Sequence, residues 1–396
     1  MTERERQIMD LLRQDPMLPQ GELARRLGIT RSSVGVHLAN LTKKGCILGK
    51  GYVLADGRGE YVVGIGAANV DLMGRSRAPL VMEDSNPGCI GMSVGGVTHN
   101  ICENAARMGA PVKLITAVGD DIYGEKIRRE CQAAGMDTSG FLVLEGETSS
   151  TYLSLHDASG EMAVAMSDMR VLQKLSVEFL RRRQGVIQGA GAIVVDGGLP
   201  EEILEYVTSC YGERIPVFAD PVSTTYARKF KGRLGGIHTL KPNRMEAEVL
   251  AEMEIRDGSS LEEAAKRLLD QGLSRVVVSL GKDGCYYRDQ EGLALMVQGK
   301  PVEQVVNPTG AGDAFMGGLV YAYLQGMPPE EALVFATAAA RLALSHPDTI
   351  NPEISHRKVR ERAEADGLIC QTAPGASRPD KSGKKRQRSD RKEKQQ

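Results

Sequence analysis

Asn307-Pro308-Thr309-Gly310-Ala311-Gly312-Asp313 is the stretch on which the fold assignment turns. It lies between a strand-like run, Pro301 to Val306, and a helix-like run, Ala314 to Leu324. Two glycines and an alanine at a strand-to-helix turn leave backbone N–H groups uncovered at the positive end of a helix, a setting that suits a phosphate. Asp313 follows at once, in the first helical turn. A carboxylate is out of place in a turn that only binds anions. It fits a turn that also does chemistry, in which Asp313 accepts the proton of a hydroxyl attacking phosphorus. The N–H groups of Gly310, Ala311 and Gly312 then stabilise charge on the transferred group. An acidic residue that merely complements a helix start would look the same in isolation, so a second signature is needed.

Gly95-Gly96-Val97-Thr98-His99-Asn100 supplies it, ahead of the apolar-periodic Ile101, Ala105, Ala106 and Met108. The glycine pair allows close approach of backbone to a ligand, and Asn100 offers both a donor and an acceptor. In this order, GGxxxN and TGAGD resemble the two signature motifs of the PfkB (ribokinase-like) family of carbohydrate and nucleoside kinases, over roughly Tyr61 to Leu368. The resemblance implies an α/β fold of three layers around a parallel sheet, with a small β lid that also serves as a dimer clasp. It implies ATP and Mg²⁺ as cofactors, a sugar or nucleoside as acceptor, and a homodimer.

Composition fits that expectation. A chain of 396 residues is ample for a large core. Seven cysteines, odd in number and without a CxxC, argue against a disulfide framework or a zinc site and for a reducing, cytoplasmic setting. The charged start, Met-Thr-Glu-Arg-Glu-Arg, is unlike a signal peptide, and no apolar run nears the ~20 residues that span a bilayer, so no membrane role is expected. No GxxxxGK[ST] is present, so a P-loop does not hold the nucleotide. Gly64-Ile65-Gly66 begins a dinucleotide fingerprint, but Asn69 stands at its third glycine position. The net charge of −1 is unevenly spread: +3 over residues 1–60, +6 over 371–396 and −10 between them. Two basic ends on an acidic body call for separate readings.

Residues 1–56 read as a winged helix-turn-helix. Ile8, Leu11 and Leu12 share one helical face, and Pro16 and Pro19 break that helix. A short helix ends at Gly28. Thr30 can cap a third helix, with Val34, Leu38 and Leu41 at core spacing. Gly49-Lys50-Gly51, between Cys46-Ile47-Leu48 and Tyr52-Val53-Leu54, signals a hairpin wing. In such domains the third helix enters the major groove, which makes Arg31, Ser32, Ser33 and His37 the expected DNA contacts. A packing module without DNA contact would share the pattern. Residues 57–60 are read as a linker, 61–370 as the kinase domain and 371–396 as a disordered basic tail.

Further roles follow from the resemblance. Asp71, with Asn69, stands where the family binds a sugar, and Gly95, Gly96 and Asn100 complete that pocket. Asn243 and Glu246 match the family's NxxE, which organises Mg²⁺ and phosphates, Glu246 acting through water. Ordinary helix capping would explain the same pair. Ser279, Gly281 and Gly284 lie on the loop that runs along the ATP phosphates and ribose, and Thr309 joins the nucleotide contacts. The segment Arg341 to Pro352 matches the region near adenine and a monovalent cation. Asn307 replaces the usual Asp there, which puts the cation in doubt. Lid candidates are Thr148–Ser154, Met162–Met169 and Gly88–Val94. Their sequences, with Asp220-Pro221-Val222-Ser223, look like those of pseudouridine kinases, and Thr151 and Asp168 would then face the base. Other sugar or nucleoside kinases, and a sugar-sensing regulator with a kinase-like body, are the alternatives.

Overall fold

The computed structural model describes residues 2–14, 18–43, 46–47, 59–302 and 304–374. Three helices open it: α1 (Glu3–Gln14), α2 (Gln20–Leu27) and α3 (Arg31–Lys43). Gly28 ends α2 in the left-handed conformation, and Thr30 caps α3 by accepting the Ser33 N–H at 3.1 Å. Ile8, Leu12, Leu23, Val34, Leu38 and Leu41 form their core, as the spacing predicts, while Leu11 only borders it. The expected wing falls largely outside the described residues, as does half of the linker, residues 57–58.

Fifteen strands follow: β1 (Val62–Ile65), β2 (Asn69–Ser76), β3 (Gly88–Gly95), β4 (Val112–Ile115), β5 (Ala117–Gly119), β6 (Leu142–Leu144), β7 (Thr151–His156), β8 (Met162–Asp168), β9 (Ala192–Asp196), β10 (Val217–Asp220), β11 (Thr239–Leu240), β12 (Arg275–Ser279), β13 (Cys285–Asp289), β14 (Ala294–Gln298) and β15 (Ile369–Thr372). The main sheet has the order β15-β14-β13-β12-β11-β10-β9-β1-β4. From β12 to β4 every pairing is parallel, and β13, β14 and β15 add an antiparallel edge. Alternate residues of the parallel strands enter two separate apolar clusters. Val63, Ile193 and Val195 face one, and Val62, Ala192 and Val194 the other. Near-continuous apolar strands and two cores are what a sheet covered on both faces requires. This is the expected three-layer α/β architecture.

The smaller sheet, β3-β2-β7-β8, contains all three expected lid segments. It also contains β2, whose first residues carry Asn69 and Asp71. Two expectations fail. Of the run Pro301 to Val306, residues 301–302 and 304–306 are described and lie in no strand, and Val305 and Val306 are exposed. The edge of β14 on which such a strand could pair is taken by β15. And β15 extends ordered structure past residue 370, into the segment read as tail, because Ile369–Thr372 close that edge. Residues 375–396 lie outside the described residues.

Helix α4 (Val97–Met108) and the helix Ala311–Leu324 carry the two signature motifs and pack directly together. Gly317 makes this possible: a Cβ there would lie 2.8 Å from the Ile101 carbonyl oxygen, closer than real Cβ atoms come. Gly317→Ala is expected to cost about 1–3 kcal/mol of stability through overpacking and to lower turnover by moving Asp313. Gly185→Ala, on a helix where an added Cβ meets nothing within 4 Å, should be neutral or slightly stabilising. Denaturant melts of the two variants check this, and equal stabilities would refute the packing argument.

Candidate active site

The catalytic candidates sit at the carboxyl ends of the parallel strands, where ligands of open α/β sheets bind. Gly310 starts the helix Ala311–Leu324 with φ +81°, and a Cβ on it would strike the Thr349 carbonyl oxygen at 2.1 Å. No side chain caps this helix. The N–H groups of its first turn, Gly310 to Gly312, therefore remain available to an anion. Asp313 follows them, and its Oδ2 accepts a 2.8 Å hydrogen bond from Asn100 Nδ2. The motifs at the two ends of the kinase body thus meet through their polar side chains. Burial pushes the Asp313 carboxyl up to about 7, Asp220's charge adds to that, and Asn100 and Lys241 oppose it.

Lys241 and Asp220 were not among the expected site residues. Lys241 Nζ and Asp220 Oδ2 form a buried pair at 2.9 Å. A Cβ on Gly312 would lie 3.1 Å from that Nζ, so the ammonium sits beside the anion-binding turn. Burial alone would lower the Lys241 pKa. Asp220, then Asp313 and Glu246, outweigh burial and raise it. A lysine at the head of Lys241-Pro242-Asn243, directly after β11, was the available signal, but its partner is distant in sequence.

Asn243 and Glu246 form a capping box. Asn243 Oδ1 accepts the Glu246 N–H at 2.9 Å and Glu246 Oε2 accepts the Asn243 N–H at 2.8 Å. Helix capping therefore engages one Glu246 oxygen, and among the described residues no donor reaches the other. Burial raises the Glu246 carboxyl, Asn243's N–H opposes, and Asp220's charge adds. Three carboxylates, Asp220, Glu246 and Asp313, share one lysine here. That deficit of positive charge suits a divalent cation. No three His, Cys, Asp or Glu side chains among the described residues converge as direct ligands, so Mg²⁺ would rest on Glu246 through water and on nucleotide phosphates.

Ser279 donates its N–H to the Pro242 carbonyl oxygen at 2.9 Å, which ties the β12 loop to the NxxE segment. Gly281 and Gly284 have positive φ in the turn that follows. Asn243, Met245, Ile255, Ser279, Gly281 and Met296 line a cleft of about 420 Å³ there. Thr309 is exposed on the signature turn. Asn307 uses both ends of its amide, Nδ2 donating to the Pro347 carbonyl at 2.8 Å and Oδ1 accepting the Thr309 N–H at 2.9 Å. The side-chain oxygen expected to face a monovalent cation thus already accepts one hydrogen bond. Arg341 is committed to Asp366 at 3.0 Å.

On the acceptor side, Asn69 Nδ2 donates to Asp71 Oδ1 at 2.6 Å. Burial raises Asp71 to about 6, against the pull of that bond. Gly95 lies opposite Asn69 in the β2–β3 register, and a Cβ on it would fall 2.2 Å from Asp71 Oδ2. Gly96, at φ +103°, turns the chain from β3 into α4. The Asn100 N–H donates to the Gly96 carbonyl at 2.8 Å, so the helix start that follows this glycine pair is the one that carries Asn100 to Asp313. Thr151 and Asp168 face each other across β7 and β8. Asp168 is drawn into an exposed pair with Arg170 at 2.7 Å, and Thr151 Oγ1 donates to the Ser149 carbonyl at 3.1 Å. Neither points to a base by its contacts. In the N-terminal unit Arg31 and Ser32 are exposed, while Ser33 and His37 are half-buried.

Residues 1–47 match the winged helix-turn-helix DNA-binding domain model. The chain is 40% identical over 297 residues to the pseudouridine kinase of Escherichia coli, covering 75% of this chain and 94% of that one. It is 36% identical over 355 residues to the uncharacterized sugar kinase YeiI of the same organism, covering 90% and 97%. That alignment is longer than everything from residue 60 onward, so it reaches into the N-terminal helices. A solved structure from Clostridium perfringens, assigned to the sugar kinases, superposes with a TM-score of 0.72 at 33% identity, covering 79% of this chain and 98% of that one. Residues 60–356 match the pfkB family carbohydrate kinase model, and the chain belongs to that family of phosphotransferases acting on an alcohol group.

Proposed function

We propose that this kinase transfers the γ-phosphoryl group of ATP to the 5′-hydroxyl of pseudouridine. The observation that carries the chemistry is Asp313, held by Asn100 directly after an uncapped, glycine-lined helix start. Asp71 and Asn69 hold the ribose, and Asp313 accepts the proton of the attacking hydroxyl. The N–H groups of Gly310, Ala311 and Gly312, with Lys241 beside them, meet the charge on the transferred group. Kinases of this family use ATP and Mg²⁺, and Mg²⁺ supplies further neutralisation of the phosphates when bound. Ser279, Gly281, Gly284 and Thr309 border the nucleotide. The 40% identity to a pseudouridine kinase supports the choice of nucleoside.

An ATP-consumption screen over pseudouridine, uridine, inosine, adenosine and ribose tests this. Turnover should be highest with pseudouridine, and Asp313→Asn should lower kcat about 100- to 10,000-fold in a folded protein. Near-normal kcat in that variant would remove Asp313 as the base, and preference for another acceptor would remove pseudouridine.

The pH dependence has a definite sign. A base must be unprotonated to act, so kcat/KM should fall as pH drops through about 7, the position to which burial and Asp220 raise Asp313. Asp220→Asn removes a neighbouring negative charge and should move this limb to lower pH. A carboxyl raised above its unfolded value costs stability once pH exceeds that unfolded value, fully so above the folded one. Asp313→Asn should therefore melt at the same or a higher temperature at pH 8. An acid limb unmoved by Asp220→Asn would contradict the electrostatic account.

The match of residues 1–47 to a DNA-binding domain supports a second role, in which nucleoside binding and DNA binding are coupled within a homodimer. Ile90, Met92, Leu155, Met162, Val164 and Met166 are exposed on the lid sheet, a face suited to a second copy. Gel shifts on fragments from the gene's own locus should show binding that weakens with salt and changes when pseudouridine is added. Salt-insensitive or absent binding leaves the kinase alone, and a sedimentation mass of one chain would overturn the dimer.

A further inference from the structure

The base is held by a neutral side chain whose own orientation has to be fixed. Asn100 Nδ2 donates to Asp313 Oδ2 at 2.8 Å. A primary amide turned end for end keeps nearly the same shape, and would then set its oxygen against the carboxylate, two acceptors face to face. The other end of the Asn100 amide meets a single side chain among the described residues: Oδ1 lies 3.1 Å from His99 Nδ1, and His99 is wholly buried.

We propose that His99 is a positioning residue whose Nδ1–H locks Asn100 in the orientation that presents its N–H to Asp313. The inference rests on the assignment of Asp313 as base. The direction of each bond follows from chemistry. An ionised carboxylate only accepts, so Nδ2 faces Asp313 and Oδ1 faces the ring; Oδ1 only accepts, so the ring nitrogen facing it carries a hydrogen. The ring's Nε2 has no hydrogen-bond partner among the described residues. Glu103 Oε2 stands 3.3 Å away, at ion-pair range but without hydrogen-bond alignment. Arg107 holds the other Glu103 oxygen, with Nε at 2.8 Å and a terminal nitrogen at 2.7 Å. The one aligned contact of the imidazole is therefore the one to Asn100. The backbone beneath it is pinned as well, since the His99 N–H donates to the Ala67 carbonyl at 3.0 Å, just beyond β1.

Full-length His99→Leu, His99→Gln and His99→Asn, assayed with ATP and pseudouridine, test the lock. The amide nitrogen of asparagine falls near the place of imidazole Nδ1, and that of glutamine near Nε2, so only His99→Asn restores the donor. We expect kcat to fall about tenfold or more in the leucine and glutamine variants, with KM for ATP within about twofold of wild type, and most of kcat to return in His99→Asn. Unchanged kcat in all three, or equal losses in all three, would overturn the proposal. Silence of the wild-type chain on pseudouridine would instead sink the nucleoside assignment. The lock is then read from the Asn100 side-chain amide signals in a nitrogen–proton correlation spectrum, identified by their loss in Asn100→Ala. Slow solvent exchange in wild type and His99→Asn, with fast exchange in His99→Leu, supports it; the same exchange rate in all three overturns it.

Discussion

The hydrogen bond between Asn100 and Asp313 joins residues 213 positions apart and is the contact around which the site is arranged. That the donor is an amide and not a cation matters. A guanidinium at this distance would hold the carboxylate well below the neutral range, where it accepts protons poorly. The amide stabilises the ionised form less than burial and Asp220 destabilise it, and the carboxyl stands near 7. Lys241 is close enough to matter but pairs with Asp220. In the proposed mechanism its charge therefore serves the anion-binding turn while leaving Asp313 able to take a proton.

Two costly features keep these groups in place. Asp196, wholly buried at the end of β9, accepts the Ala67 and Gly198 N–H groups and both the N–H and hydroxyl of Thr98, which fixes the start of α4 against β1. Burial raises its pKa, and those donors oppose the rise. After β10, Val222 adopts φ +70°, unusual for a β-branched residue, and its N–H donates to Asp220 Oδ1 at 2.8 Å. Such a conformation costs roughly 1–3 kcal/mol. It fixes one Asp220 oxygen so that the other meets Lys241. Both features lie at the carboxyl ends of adjacent strands, where precise placement serves the site and not the core.

What the sequence made legible follows the range of each interaction. TGAGD and GGxxxN are local: a glycine turn before an apolar-periodic helix can be read without knowing the tertiary structure, and both stand where expected. The parallel sheet was legible through the family resemblance those two motifs carry. β2 was not, because Asn69 to Ser76 mixes polar and apolar residues and its partners, β3 and β7, lie far along the chain. The Asp220–Lys241 pair was hidden likewise, since only the adjacency of β10 and β11 brings its members together. Asp168 stands in the lid sheet, as read, and there pairs with Arg170, two residues away.

Charge explains why the site is built mainly from backbone dipoles. Residues 61–370 carry a net −10, and Asp220, Glu246 and Asp313 gather around Lys241. Bare ATP would be repelled by such a surface. Lys241 already balances Asp220, so it leaves little charge to spare for three phosphates. Uncapped N–H groups attract an anion without adding a titratable cation beside the base, and so leave the pKa of Asp313 to burial and its carboxylate neighbour. The same excess of carboxylates favours nucleotide that arrives with its divalent cation, because only then do metal and N–H groups together offset the phosphates. In the proposed mechanism the charge deficit is thus met when the donor binds with its metal, and Asp313 keeps its affinity for the acceptor's proton.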